Sequence, residues 1–136
     1  LYLPSTHIFA TSSISRFIGL VLAVCGIIIL KRSFQLISMK SFLGVKDEPN
    51  LKMVQNGIHK MVRHPIYSGT ILLVIGAVIF VPSDLMIISA LSIIAYLPVG
   101  IMFEEEKLVN TYGQEYIAYK KITPAIFPKI SSIFGI

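Results

Sequence analysis

Cysteine and tryptophan are almost missing from this chain, which has one cysteine and no tryptophan among its 136 residues. A single cysteine cannot form a disulfide within the chain, and it cannot supply a metal site built from several cysteines. Cys25 lies inside an apolar run, and we interpret it as a small buried hydrophobic side chain. We therefore expect neither a disulfide framework nor a metal site.

Charged residues are also scarce, at 14% of the chain against the roughly 25% of a typical soluble domain. Hydrophobic residues make up 54%, and the mean hydropathy is +0.78. A soluble protein of this length could not bury so much apolar surface, so the composition indicates an integral membrane protein. The net charge of +5 comes from basic residues beside apolar runs, without the interleaved aromatics that bind single strands, and we expect no nucleic-acid partner.

Three apolar runs predict an all-α, polytopic membrane protein with spans at about 14–36, 66–81 and 85–103. The first run reaches spanning length only if its flanking basic side chains snorkel toward water. The second and third runs are separated by the short sequence PSD, which predicts a tight helical hairpin with Ser83 or Asp84 as the helix cap. Because the chain begins at Leu1 and not at a methionine, we expect three spans to be a minimum.

Basic residues predict the orientation of these spans. They are concentrated between spans one and two and after span three, while the hairpin turn has none. The positive-inside bias therefore places loop 37–65 and tail 104–136 on the cytoplasmic side of a single membrane domain, 1–136. In the tail, apolar and aromatic residues recur every three or four positions, which predicts an amphipathic helix along the membrane surface, interrupted at Gly113. Pro98, inside the third span, is expected to kink that helix.

Two polar clusters are predicted to meet at the cytoplasmic end of the hairpin. Arg63, His64 and Tyr67 lie at the start of span two, and Glu104, Glu105 and Glu106 follow span three. A salt bridge and interface anchoring would explain these groups, and so would a cationic ligand held between the clusters. Pro65 fits the first turn of a helix, so the residues before it are also suited to an anionic ligand group.

The sequence RHPIYSG, residues 63–69, resembles the Arg-His-Pro-x-Tyr-x-Gly motif of the isoprenylcysteine carboxyl methyltransferase family. The tail resembles that family's second motif, which begins with two glutamates and continues through an aromatic–glycine pair to two tyrosines. The matching residues are Glu104, Glu105, Leu108, Tyr112, Gly113, Tyr116 and Tyr119, followed by Pro124 or Pro128. The resemblance covers roughly residues 51–128, and the two motifs together are far more specific than either alone.

The resemblance implies a multi-span membrane enzyme that moves a methyl group from S-adenosylmethionine to a lipophilic acceptor. A carboxylate such as that of a prenylcysteine is one candidate acceptor, and the expected partners are the bilayer and a lipophilic or lipidated substrate. By position, the resemblance assigns cofactor contacts to Leu51, Lys52, Met53, Val54, His59, His64, Pro65, Ile66, Tyr67 and Glu104. We assign catalytic roles to Arg63, Glu104 and Glu105.

Three positions depart from the family pattern. His59 stands where the family has a tyrosine, Leu51 where it often has a histidine, and Gly100 where it has an arginine that binds the substrate carboxylate. The last departure weakens the case for a carboxylate acceptor more than the case for the cofactor. Two alternatives remain open: an NADPH-dependent enzyme resembling sterol or steroid reductases, and a non-catalytic, truncated homologue. The sequence does not determine the oligomeric state.

Overall fold

The helical fold class expected from the sequence is confirmed by the computed structural model, which describes residues 11–42 and 57–129. These residues form four α-helices and a short 3-10 turn, and no strand occurs among them. The helices are α1 (Ser13–Phe42), α2 (Pro65–Phe80), α3 (Asp84–Tyr112) and α4 (Gln114–Ile122), and the 3-10 turn is Gly57–Lys60. That the whole chain, 1–136, forms one domain stays a prediction.

Glycines allow α1 and α2 to pack closely in an antiparallel pair. Gly19 and Gly26 of α1 face Gly76 and Gly69 of α2, respectively. A Cβ atom added at Gly76 would lie 2.5 Å from the backbone nitrogen of Ala23, and one added at Gly19 would lie 2.7 Å from the Gly76 carbonyl oxygen. These are backbone positions that cannot move aside, so the approach of the two helices requires glycine. Small residues of this kind are typical of helix contacts in membranes.

The hairpin between α2 and α3 has the form that the sequence predicts. Pro65 is the first residue of α2, and α3 begins two residues after Pro82. Ser83 caps α3, because its hydroxyl accepts a hydrogen bond from the backbone N–H of Met86 at 3.3 Å. The contacts between α2 and α3 are far sparser than those between α1 and α2. Much of α3 is therefore packed only loosely against α2, and many of its apolar side chains are exposed.

Two of the described helices are long and apolar enough to cross a membrane: α1, over Ser13–Gln35, and α3. The third expected span, α2, has 16 residues. At 1.5 Å per residue it is about 24 Å long, shorter than the hydrocarbon core of about 30 Å. A count of three spans is therefore not confirmed and stays a prediction. Cys25, expected to be buried, is exposed on α1, where an apolar side chain on a membrane helix can face lipid.

The third helix is longer than the sequence predicts. It continues past residue 103, through the three glutamates, and ends at Tyr112. Gly113 then breaks the helix, as predicted, with a φ of 56° and a ψ of −126° that strongly favour glycine. The chain turns there into α4. Because the helix is continuous through Glu104 and Glu105, these neighbouring side chains point in directions about 100° apart.

A short segment after α4 returns to the start of α2, and we call residues 123–126 the tail strap. The backbone N–H of Arg63 donates to the Pro124 carbonyl, and that of His64 donates to the Ala125 carbonyl, both at 2.9 Å. The Ser68 hydroxyl also donates to the Ile126 carbonyl, at 2.6 Å. The tail strap therefore fixes the residues before α2 against the end of the chain that the structure describes.

Candidate functional site

The two polar clusters predicted from the sequence do meet, at the polar end of the α2–α3 hairpin. Arg63 and His64 come from the link before α2, and Glu104 and Glu105 come from the last third of α3. His64 lies between the two carboxylates. Its Nε2 is 3.1 Å from Glu105 Oε1, and its Nδ1 is 3.5 Å from Glu104 Oε2.

Glu105 is the centre of the ion-pair cluster. Its Oε1 lies 2.7 Å from Arg63 Nη2, and its Oε2 lies 2.5 Å from the Lys120 ammonium. Burial favours the neutral acid, but the hydrogen bonds from Lys120 and His64 and the Arg63 charge outweigh it, so the pKa of Glu105 is lowered. A buried carboxylate with this many donors has little capacity left for a ligand.

Glu104 has a different environment, although it is the adjacent residue. Its side chain is 49% exposed, against 11% for Glu105. The hydrogen bond from His64 lowers the pKa of Glu104, and this effect together with the His64 charge and the Tyr67 hydroxyl outweighs partial burial, which raises it. Glu104 is thus an ionised carboxylate that is fixed by its neighbours and still open to a ligand.

Arg63 is directed inward. Its Nη1 donates to the carbonyls of Lys120 and Thr123, at 2.8 and 3.0 Å, in addition to the bond between Nη2 and Glu105. Its Nε is buried without a hydrogen-bond partner. The guanidinium therefore joins the start of α2 to α3 and to the C-terminal end of α4. The backbone amides of Arg63 and His64, expected to suit an anionic ligand, donate to the tail strap instead.

Tyr67, in the first turn of α2, extends toward α3. Its ring lies 5.6 Å from that of His64, centre to centre. The position of a Cβ added at Gly100 would be 3.1 Å from the Tyr67 hydroxyl oxygen, so this hydroxyl lies directly against the α3 backbone. Glu104 follows Gly100 by one helical turn, on the same face, and interacts with the same hydroxyl.

The other predicted cofactor residues have mixed outcomes. Leu51, Lys52, Met53 and Val54 lie outside the described residues. His59 lies in the 3-10 turn, and its carbonyl accepts a hydrogen bond from the Tyr119 hydroxyl at 2.5 Å. Pro65 and Ile66 form the first turn of α2, beside His64. The roles assigned to all these residues stay predictions.

Sequence reasoning missed the contribution of the tail. The tyrosine face of α4 was expected to lie on the membrane surface, yet Tyr116 and Tyr119 are buried at 2% and 5% exposure. Burial raises the pKa of both hydroxyls. Lys120, from the same helix, was not predicted as a partner of Glu105. The regular spacing of the tyrosines was the available signal, but it does not distinguish a protein surface from a lipid surface.

A shallow groove of ≈ 250 Å³ also lies between α3 and α4. It is lined by Met102, Glu105, Glu106, Val109, Asn110 and Lys120. Its volume is below the roughly 300–1,000 Å³ of typical small-molecule pockets. Neither Glu104 nor His64 lines it, so it is separate from the exposed carboxylate described above.

Membrane-length apolar helices and a fixed, accessible carboxylate at their polar end define this protein as a helical membrane protein with a candidate ligand site. The chain belongs to the phospholipid methyltransferase family, which it matches over residues 14–115. Most of α1, all of α2 and α3 and the start of α4 fall within this match. The resemblance inferred from the two sequence motifs is thereby confirmed at the level of the family.

Named relatives agree with this membership. The chain is 26% identical over 122 residues to protein-S-isoprenylcysteine O-methyltransferase B of Arabidopsis thaliana, covering 87% of the chain and 61% of that protein. It is 35% identical over 71 residues to methanethiol S-methyltransferase 1 of Bradyrhizobium diazoefficiens, covering 52% of the chain and 24% of that protein. It is 32% identical over 85 residues to methanethiol S-methyltransferase of Crocosphaera subtropica, covering 62% of the chain and 32% of that protein. The chain thus spans less than two thirds of each relative's length.

Proposed function

We propose that the protein is a membrane methyltransferase that uses S-adenosylmethionine to methylate a lipophilic acceptor. The observation that carries the proposal is the accessible Glu104 carboxylate, fixed beside His64 and Tyr67 at the polar end of the hairpin. Membership of a methyltransferase family supports the reaction type, and the membrane-length helices support an acceptor that enters from lipid.

The residues at this site suit the chemistry of the cofactor. Its ammonium group and ribose hydroxyls are hydrogen-bond donors, from which an ionised carboxylate can accept, and its sulfonium is a cation that such a carboxylate attracts by charge alone. Between His64 and Tyr67, Glu104 offers such a carboxylate, and these two side chains fix its direction. Residues 51–54, His59, Pro65 and Ile66 complete the proposed contact set.

The contacts of the two glutamates and of Arg63 support different roles for them. We assign Glu104 to direct cofactor contact. Arg63 and Glu105, which the sequence suggested as catalytic, act as positioning residues, because their polar groups bind each other, Lys120 and the carbonyls of the tail. They hold His64, and through it Glu104, in place.

The cofactor supplies an electrophilic methyl group, and the protein has to align the acceptor and exclude water. A carboxylate acceptor has no proton to lose, whereas a thiol would release one to water as its sulfur gains the methyl group and the cofactor leaves as a neutral thioether. The names of the relatives include both an isoprenylcysteine and methanethiol. Either acceptor could reach the site along α3, many of whose apolar side chains are exposed.

The family and the two apolar helices indicate an integral membrane protein. We further propose that α2 is a third span within this assembly, with loop 37–65 and the tail on the cytoplasmic side. The basic residues between α1 and α2 and after α3 support that orientation. It would place Glu104 where a water-soluble cofactor can reach it.

The reductase alternative receives no support from the site. An NADPH 2′-phosphate is best held by free arginines. Arg63 is the sole arginine in the sequence after Arg32, and its Nη atoms bind Glu105 and two carbonyls.

The proposed function can be tested by calorimetric titration of the detergent-solubilised protein. We expect S-adenosylhomocysteine, the product form of the cofactor, to bind, and NADPH not to bind at the same concentrations. Adenosine is the control for binding through the nucleoside alone. Binding of NADPH without S-adenosylhomocysteine would overturn the proposal in favour of the reductase, and binding of neither would favour a non-catalytic homologue.

A further inference from the structure

The contact between Tyr67 and Gly100 joins α2 to α3 close to the proposed cofactor contact. The three heavy atoms nearest to a Cβ added at Gly100 all belong to Tyr67: the hydroxyl oxygen at 3.1 Å, Cζ at 3.6 Å and Cε1 at 3.7 Å. The distances to Cζ and Cε1 are ordinary van der Waals separations, while the distance to the hydroxyl oxygen is shorter than most Cβ contacts in proteins. Gly100 therefore matters for one atom of Tyr67, its hydroxyl oxygen.

This hydroxyl lies at the border between water and the apolar part of the hairpin. On the α3 face that it touches, Glu104 lies one turn further toward the polar end, and the residues before Gly100 belong to the apolar run. Tyr67 itself is only partly buried. A group that approaches Glu104 along this face of α3 from the apolar end would meet the Tyr67 hydroxyl first.

The charges around the hydroxyl disfavour an anionic group. The nearest carboxylate, Glu104, is ionised and half exposed. Among the described residues, the cations Arg63 and Lys120 are both bound to Glu105, and His64 lies between Glu104 and Glu105. An acceptor carboxylate here would lose water without gaining one of these cations as a partner, which is costly. An uncharged head group that can donate a hydrogen bond to the tyrosine oxygen avoids that cost.

We propose that Gly100 is a positioning residue that holds the Tyr67 hydroxyl against α3, and that this hydroxyl binds the head group of an uncharged, protic acceptor such as a thiol. The inference rests on the proposed methyltransferase function and specifies its substrate class. It assigns Tyr67 a direct contact with the acceptor, at the boundary with the cofactor bound by Glu104. It also explains why a glycine occupies this turn of α3: a side chain there would displace the hydroxyl.

The first test compares two ligands with the same tail. Protein saturated with S-adenosylhomocysteine is titrated calorimetrically with 1-octanethiol and with octanoate. We expect the thiol to bind about tenfold more tightly than the carboxylate, because the carboxylate is desolvated beside Glu104. Equal binding of the two ligands, tighter binding of octanoate, or binding of neither would overturn the inference.

The second test is a double-mutant cycle of Tyr67 and Gly100. If Gly100 had only a structural role, its effect on binding would not depend on the Tyr67 hydroxyl. Tyr67→Phe removes the hydroxyl and is expected to weaken octanethiol binding about five- to tenfold, whereas Gly100→Ala, which shifts the hydroxyl by a few tenths of an ångström, is expected to weaken it by a smaller factor, about two- to threefold. In the Tyr67→Phe background, the nearest ring carbon to the new methyl group is at a normal distance of 3.6 Å. Gly100→Ala should then have almost no further effect.

The control for the cycle is Ser92→Ala, an exposed position on α3 whose hydroxyl bonds only to its own helix, and it should bind octanethiol like the wild type. Additive losses in the double variant would contradict the role given to Gly100. Failure of the wild type to bind S-adenosylhomocysteine would overturn the proposed function and this inference together. Normal cofactor binding with additive losses would overturn the inference alone.

Discussion

Arg63 and Glu105 form a buried ion pair, with 2.7 Å between Nη2 and Oε1. The two residues lie far apart in the sequence, since His64, the neighbour of Arg63, is 41 positions before Glu105. Their side chains are 9% and 11% exposed. The pair connects the start of α2 to α3, and the remaining bonds of Arg63 add the end of α4. The geometry of the candidate site therefore depends strongly on Arg63 and Glu105, whose contacts join the start of α2 to α3 and α4.

Breaking this pair should destabilise the protein. Glu105→Gln leaves the Arg63 guanidinium buried with no anion, and the loss of one partner of a buried pair costs about 3–5 kcal/mol. Chemical unfolding in detergent, followed by circular dichroism, would measure the change. The matched control is Glu106→Gln, an exposed neighbour, which should change the free energy of unfolding by no more than about 0.5 kcal/mol. Equal effects of the two substitutions on the free energy of unfolding would contradict the placement of Glu105 at the centre of the ion-pair cluster.

Acid should weaken the protein through the same residue. The pKa of Glu105 is lower in the folded protein than in the unfolded chain, where a glutamate titrates near about 4.3. Its contribution is fully present above the unfolded pKa and is lost as the pH falls through the folded pKa. As the pH falls below about 5, the unfolding temperature of the wild type should therefore fall more steeply than that of Glu105→Gln. Parallel pH profiles for the two proteins would contradict this.

The meeting of Arg63 and His64 with the glutamates could be predicted because it follows from topology. A hairpin between α2 and α3 brings the start of one helix beside the end of the other, whatever the details of packing. Which glutamate is buried could not be predicted, since this depends on the rotation of α3 about its axis. Neighbouring residues on a helix point in directions about 100° apart, so a rotation of α3 by that angle would exchange the environments of Glu104 and Glu105.

The contacts made by the tail could not be predicted from the sequence for a different reason. Lys120 reaches Glu105 only because the chain turns at Gly113 and α4 folds back onto the link before α2. The spacing of the tyrosines predicts a helix with one apolar face, but that face could cover protein or lipid. The glycine pairs of α1 and α2 could have predicted the close packing of these two helices. In each helix the two glycines are seven residues apart, so they lie on one side of the helix.

Those glycines provide a third prediction. In Gly76→Ala the new methyl group would lie 2.5 Å from the backbone nitrogen of Ala23, so α1 and α2 must move apart. Overpacking of this kind costs about 1–3 kcal/mol. The thermal unfolding temperature in detergent should fall for Gly76→Ala and stay unchanged for Ser89→Ala, an exposed α3 position that serves as the control. An unchanged unfolding temperature for Gly76→Ala would show that the close approach is not maintained in solution.

A fourth prediction concerns the bond between α4 and the 3-10 turn. Tyr119→Phe removes the hydroxyl that donates to the His59 carbonyl, and the loss of one such bond costs about 0.5–1.5 kcal/mol. If residues near His59 contact the cofactor, binding of S-adenosylhomocysteine should weaken as well. Calorimetry and unfolding would be measured on the same sample, with Tyr96→Phe as the exposed control. A stability loss without any change in affinity would remove His59 from the proposed contact set.

The sharpest prediction separates the two adjacent glutamates. Glu104→Gln keeps the shape of the side chain and removes a half-exposed charge, so stability should change little. Affinity for S-adenosylhomocysteine should fall by about tenfold or more, because its ammonium and hydroxyl groups lose an ionised acceptor. Glu105→Gln should lower the stability first and the affinity only as a consequence of misplacing His64.

The two variants can be compared at a temperature where each remains folded, with calorimetry for affinity and circular dichroism for the folded fraction. High salt provides a further discriminator: it should weaken ligand binding to the wild type, which uses the exposed Glu104 charge, more than binding to Glu104→Gln. The buried pair of Arg63 and Glu105 should be far less sensitive to salt. If Glu104→Gln binds S-adenosylhomocysteine normally while Glu105→Gln does not, the carboxylate that contacts the cofactor is that of Glu105. The roles proposed for the two glutamates would then be reversed.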